Sequence, residues 1–238
     1  MVRLSRALSR KVNRLEFSGK VKFVYNPLTY AAAANEQYLS KYATGSGVAL
    51  MLGMNPGPWG MAQTGVPFGE IAAVRDWLGI DAKIRKPKLQ HPKRPVLGFD
   101  CERREVSGAR LWGWAQDRYK KPERFFNKFF VWNYCPLSFM VESGANYTPD
   151  KLSKEERNAL FDVCDDALRK VVDVLEPSRV IGIGKFAEKR AQIALAGRDD
   201  ELPISTILHP SPASPMANKG WVPHIERQLE GMGIRLPS

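Results

Sequence analysis

Cysteine is scarce in this chain. Only Cys101, Cys135 and Cys164 occur among 238 residues. They are odd in number, widely spaced and form no CxxC pair, which excludes a disulfide framework and gives no zinc or iron–sulfur spacing. They read as reduced, buried thiols of an intracellular protein. Long apolar runs are missing too: no segment approaches the roughly 18 uninterrupted apolar residues of a membrane span, so no membrane partner is expected. Acid is in short supply, with 25 Asp and Glu against 36 Lys and Arg, a formal charge of +11 and a pI near 9.7. That imbalance points to a polyanion as partner, nucleic acid first. With 44% hydrophobic residues, no internal repeat and no linker, one globular domain over residues 1–238 is expected, and a monomer.

What is present is strongly patterned. Residues 1–17 hold five Lys or Arg before the first acid, Glu16. Leu4, Leu8, Val12 and Leu15 recur at helical spacing, which predicts a basic helix docked on the domain rather than a transit peptide. A second helix is expected over about Thr29–Ala43, and a third on Ile71, Val74 and Leu78 up to Gly79. Ser153-Lys154-Glu155-Glu156 is a capping box opening a long helix that ends before Pro177. Another helix is expected from about Phe186 to Ala196.

Four stretches read as strands: the apolar runs Val48–Leu52 and Phe129–Trp132, then Arg179–Ile183 and Ile204–Leu208. Strands separated by helices predict a three-layer α/β/α sandwich with a central, mainly parallel four-stranded sheet. Ligands of such sheets lie beyond the carboxyl ends of the strands. There, Pro- and Gly-braced turns deliver Asn55, Asn133 and His209, which should converge. The segment from Lys83 to Pro95, with six Lys or Arg and three Pro, reads as a basic surface loop that could contact phosphates, as could Lys120, Lys121, Arg124 and Lys128.

Gly53-Met54-Asn55-Pro56-Gly57-Pro58-Trp59-Gly60-Met61-Ala62-Gln63-Thr64-Gly65-Val66-Pro67-Phe68-Gly69 resembles the first motif of the single-strand-selective monofunctional uracil-DNA glycosylases. Asn133-Tyr134-Cys135-Pro136-Leu137 resembles their middle block. His209-Pro210-Ser211-Pro212 with Ala217-Asn218-Lys219-Gly220-Trp221 resembles their second motif. The resemblance runs from about Tyr25 to Leu229. It implies a metal-independent hydrolase without cofactor that excises uracil, and 5-modified uracils such as 5-hydroxymethyluracil, from single- and double-stranded DNA. The product would be an abasic site, in base excision repair, wherever the cell keeps its DNA.

On that resemblance Asn55 positions water and His209 faces uracil O2, where negative charge collects as the base departs. Asn133 offers an acceptor and a donor side by side, matching N3–H and O4 of uracil, provided its amide cannot flip. Phe68 stacks on the extruded base, and Met54, Gly57 and Met61 complete the base pocket. Pro56 and Pro58 stiffen the first loop, while Gly57 and Gly60 admit close backbone approach. Contacts to the DNA strand are implied for Ser211, Pro212, Ala213, Ser214, Met216, Asn218 and Lys219, with Lys185 at another strand end. Ala213 stands where the family usually carries Arg, and Met216 where it carries Gln, so the wedge that fills the vacated stack would be apolar. Trp59 replaces a common Phe.

Two other readings are carried beside this one. A catalytically silent nucleic-acid-binding module would keep fold and charge but release no uracil. A nucleotide-cofactor enzyme would use Gly182-Ile183-Gly184, but the spacing does not continue as GxGxxG.

Overall fold

The computed structural model describes residues 1–198 and 201–237. Helix α1 (Val2–Val12) turns Leu8 and Val12 inward and lies along the long helix over Lys154–Leu175, with Lys11 paired to Asp166 at 2.7 Å. It is shorter than its apolar spacing suggests and stops at Asn13. A short strand, β1 (Phe23–Tyr25), leads into α2 (Pro27–Tyr30), capped by the Asn26 side chain, and α3 (Ala32–Tyr42). The single helix expected over 29–43 is thus two, divided at Ala31.

Strand β2 (Ala49–Gly53) is buried along its whole length, as a strand covered on both faces must be. The one-turn helix α4 (Met61–Thr64) closes the Gly/Pro loop. The helical stretch before Gly79 is real but widens into a π turn at Ala73–Trp77. Residues 83–95 carry no regular structure, yet the loop is pinned. The buried His91 accepts the Lys93 N–H at Nδ1 (3.0 Å), leaving Nε2–H to donate to the Glu142 carbonyl (2.8 Å).

Two helices follow that sequence patterning does not announce, α5 (Val106–Tyr119) and α6 (Pro122–Phe126). Next come β3 (Phe129–Asn133) and the short strands β4 (Ser138–Met140) and β5 (Asn146–Tyr147), then α7 (Lys154–Leu175), whose capping box at Ser153 and Glu156 forms as expected. The chain ends with β6 (Arg179–Ile183), α8 (Lys185–Ala194), β7 (Ile204–Ile207), α9 (Pro215–Asn218) and α10 (Trp221–Gly231). Pro223 falls in the first turn of α10, followed by His224.

The main sheet is parallel throughout, in the order β3-β2-β6-β7, with helices packed against it: α8 against β6 and β7, α10 against β7, α6 against β3. This is the α/β architecture expected of strands that alternate with helices. A second, antiparallel sheet, β1-β4-β5, was not legible, because strands of two or three residues are too short to display a period. The register of β2 on β3 sets Gly53 opposite Asn133, and the pairing continues past the strand ends as the Tyr134 and Cys135 N–H groups donate to the Gly53 and Met54 carbonyls at 2.9 Å. The first and middle motif loops are therefore locked together.

Candidate active site

Beyond the carboxyl ends of β2, β3 and β7 lies a cavity of ≈ 480 Å³. Asn55, Asn133, His209 and Phe68 all line it, as do Met54, Gly57, Met61, Ser211 and Pro212. Segments up to about 150 residues apart in the chain thus meet at one small-molecule-sized space.

Asn133 is 4% exposed and its two amide atoms differ in kind. Nδ2 donates to the Met61 sulfur at 3.3 Å, whereas Oδ1 is buried without any hydrogen-bond partner. A thioether has no proton to give, so the NH2 belongs at Met61 and the carbonyl belongs in the cavity. The buried, orphaned acceptor is costly in the free protein, by about 1–3 kcal/mol, unless a ligand donor satisfies it.

Asn55 donates from Nδ2 to the Leu137 carbonyl at 3.1 Å. With the NH2 committed, its Oδ1 is the atom left to accept a hydrogen bond, for instance from water. The His209 ring is similarly set. Its Nδ1 accepts the Ser211 N–H at 3.0 Å, so in the neutral ring the proton sits on Nε2. Burial pushes its pKa below the ordinary histidine value, favouring that neutral donor. The preceding residue is held from both sides: Leu208 donates to Gln228 Oε1 (2.9 Å) and accepts from Trp221 Nε1 (2.7 Å).

Phe68 adopts φ +54°, a left-handed conformation that a Cβ-bearing residue holds only when its surroundings impose it. Its carbonyl accepts from Trp112 Nε1 at 3.1 Å and from the Glu70 N–H at 2.7 Å. The ring stands 6.2 Å from that of His209, centroid to centroid.

Sequence patterning misses several residues here. Gly53 is one: a Cβ on it would overlap Asn133 Oδ1 and sit 2.7 Å from Phe68 Cε2. The pairing register alone, with Gly opposite Asn, would have signalled it. Most of the others lie on or beside α5. Glu105 lines the cavity and caps α5 by accepting from the Ser107 and Gly108 N–H groups; burial raises its carboxyl pKa. Ser107, Asn146 and Thr148 line the cavity as well. A Cβ on Gly108 would strike the Phe68 carbonyl. Arg110 clamps the His209 loop, donating to the Pro210 carbonyl (2.9 Å), the Ser211 carbonyl (3.3 Å) and Asn218 Oδ1 (2.8 Å). The buried Leu111, Trp112 and Ala115, with Pro122 beyond the end, were the available helix signal.

Of the residues expected along the strand path, Ala213, Ser214, Met216, Asn218, Lys219 and Lys185 do not line the cavity. Met216 is 53% exposed at the start of α9. Ser214 caps α9 through its hydroxyl, and Asn218 spends its amide inside the loop, on Pro212 and Arg110. Lys185 pairs with Glu188 at 2.8 Å. Among the described residues no three His, Cys, Asp or Glu side chains converge as metal ligands, and no helix is long and apolar enough to cross a membrane.

A parallel sheet delivers two carboxamides and an imidazole to one cavity, and the family model of the uracil DNA glycosylase superfamily matches residues 42–229. Curated relatives named single-strand selective monofunctional uracil-DNA glycosylases align over 95% of this chain. The bovine protein is 48% identical across 84% of its own length, the rat protein 47% across 82%, and the mouse protein 46% across 81%. The chain belongs to that family of single-strand selective monofunctional uracil-DNA glycosylases. The crystal structure of wild-type Pedobacter heparinus SMUG2 shares the fold, with TM-score 0.66 over 97% of both chains at 17% identity.

Proposed function

We propose that this chain is a monofunctional uracil-DNA glycosylase acting in DNA repair, with Asn133 and Phe68 recognising the base and Asn55 and His209 performing the hydrolysis. The observation that carries the reading is the buried, unpartnered Oδ1 of Asn133 in a cavity shared with Asn55 and His209. That oxygen accepts uracil N3–H, while Nδ2 turns its second proton to O4. Cytosine presents an acceptor at N3 and a donor at its 4-position, so it meets both atoms with the wrong polarity.

The base is extruded from the stack to reach this depth. As the C1′–N1 bond lengthens, its electron pair passes to the ring, and His209 Nε2–H hydrogen-bonds the charge gathering on O2. A neutral donor suits an anionic leaving group, because it stabilises the developing charge more than the ground state. Water held on Asn55 Oδ1 attacks C1′, its oxygen forming the new bond and one proton passing to solvent or to the leaving base. Among the described residues no lysine lines the cavity, which favours water over an amine as nucleophile and so release of the base without strand cleavage. Above Gly57 an added Cβ would meet nothing within 4 Å, room that suits a small 5-substituent such as hydroxymethyl.

The test is incubation with uracil-containing oligonucleotides in single-stranded, U:G and U:A form, with chelator present, followed by hot alkali. Free uracil and an alkali-labile site are expected, with Asn55→Ala and His209→Leu abolishing both. Salt-sensitive binding without uracil release would leave only a DNA-binding module.

A further inference from the structure

Trp59 is half-buried and stands in the chain between Pro58 and Gly60, both of which line the cavity. Two guanidinium groups lie against its indole: the Arg94 carbon is 5.0 Å from the ring centroid and that of Arg103 5.6 Å. Arg94 and Arg103 come from segments flanking Val96–Asp100 and have no carboxylate partner among the described ion pairs, whereas Arg6, Arg75, Arg118 and Arg190 are each paired. Arg94 uses Nη1 on the Lys93 carbonyl, and its Nε is buried with no acceptor at all.

Bringing two like charges to one ring costs free energy that the indole face only partly offsets, and an unsatisfied guanidinium N–H adds to it. The arrangement is held in advance of any ligand. Tyr25 donates its hydroxyl proton to the Arg94 carbonyl at 2.7 Å, the Arg94 N–H bonds the His91 carbonyl at 2.9 Å, and His91 is itself anchored to Glu142. A charge run on a solvated face has no such scaffold.

We propose that Trp59, Arg94 and Arg103 form an anion subsite on the lip of the cavity, which binds the phosphodiester backbone of the nucleotide next to the extruded one. Guanidinium groups match phosphate oxygens with paired donors, and neither Arg94 nor Arg103 spends its donors on a carboxylate among the described ion pairs. Trp59 keeps the two planar groups apart and presents its own face to a sugar or neighbouring base. The subsite reads no sequence; it holds the strand while the target base turns inward. The inference rests on the glycosylase reading above only in taking DNA as the ligand.

The test compares wild type, Arg94→Gln/Arg103→Gln, and an equal loss of charge on α1, Arg3→Gln/Arg10→Gln. Each is assayed for uracil release from a single-stranded oligonucleotide and for binding of a uracil-free oligonucleotide by fluorescence anisotropy over a range of salt. For the lip variant KM and Kd should rise about tenfold with kcat within twofold. The slope of log affinity against log salt should flatten by about 1.4, the value for two lost phosphate contacts on a single strand. The α1 variant should leave the slope unchanged. Arg103→Gln alone, at an exposed position, serves if the double variant fails to fold, with half the change in slope. Equal slopes for lip variant and wild type, or equal changes in lip and α1 variants, would overturn the subsite. A wild type that binds but releases no uracil would overturn the glycosylase reading instead, and the anisotropy measurement would still decide the subsite.

Discussion

Gly53→Ala places one methyl group where the site has no room. Gly53 lies inside β2 at a φ that any residue adopts, and its N–H and C=O keep their ladder partners, so backbone strain is not at issue. The new Cβ would stand 2.7 Å from Phe68 Cε2, about 1 Å inside an ordinary carbon–carbon contact, and would overlap Asn133 Oδ1 outright. Neither neighbour yields easily. Asn133 is strand-paired and bonded to Met61, and Phe68 is tethered through its carbonyl to Trp112. Relief by an ångström-scale shift costs about 1–3 kcal/mol of stability as overpacking. The same shift misplaces both base-recognising groups, which costs on the order of 100-fold in rate. Single-turnover uracil release with the melting temperature measured in parallel separates the two effects: kcat/KM should fall about 100-fold in a protein that still unfolds cooperatively. Activity within threefold of wild type would refute the claim that the Gly53–Asn133 register builds the base pocket.

The remaining predictions use other parts of the molecule. Burial depresses the His209 pKa below its usual value of about 6.5. The unfolded chain therefore takes up the proton first, so stability from this group is full above about pH 6.5 and declines as pH falls through the folded-state value. Imidazole titration by NMR should give a midpoint below 6.5, with the acid limb of kcat/KM following it; a midpoint at or above 6.5 would sink the neutral-donor role. Arg110→Met removes three hydrogen bonds to the loop that runs from His209 to Asn218. Freeing even one loop residue costs about 1–2 kcal/mol, so, on the reading of Met216 as the wedge, activity on U:G duplex should fall about tenfold more than on single strands. An unchanged duplex to single-strand ratio would count against the clamp. Asp165 accepts from Tyr134 Oη (2.6 Å) and pairs with Arg190 at a site where both side chains are nearly buried. Asp165→Ala should destabilise the fold by about 3–5 kcal/mol, because Arg190 is left unpaired, while Glu36→Ala at the exposed Arg6 pair changes denaturant unfolding little.

Legibility followed how each element is buried. Strands β2 and β3 are buried along their whole length and appear as apolar runs, β6 is buried after Arg179, and β7 is half-buried with Ser205 and Thr206 inside it; Pro or Gly marks the turn after each. Helix α7 announces itself through a capping box and a long stripe. Helix α5 stayed hidden because it serves two masters. Leu111, Trp112 and Ala115 enter the core, but Gly108 is required by the Phe68 carbonyl and Arg110 by the second motif loop, and these break the amphipathic pattern.

The order of the four main strands and of the helices α1, α3, α7 and α8, the basic charge and the two motif loops were determined by local chemistry: apolar period, turn residues and capping groups act over a few neighbours in the chain. Packing alone decided that Asn133 keeps an empty acceptor, that His209 carries its proton on Nε2, and that Arg94 and Arg103 meet on Trp59. Each of those states depends on which partner fills a shell of about 3–6 Å around a side chain. Those partners come from segments that only the folded sheet brings together.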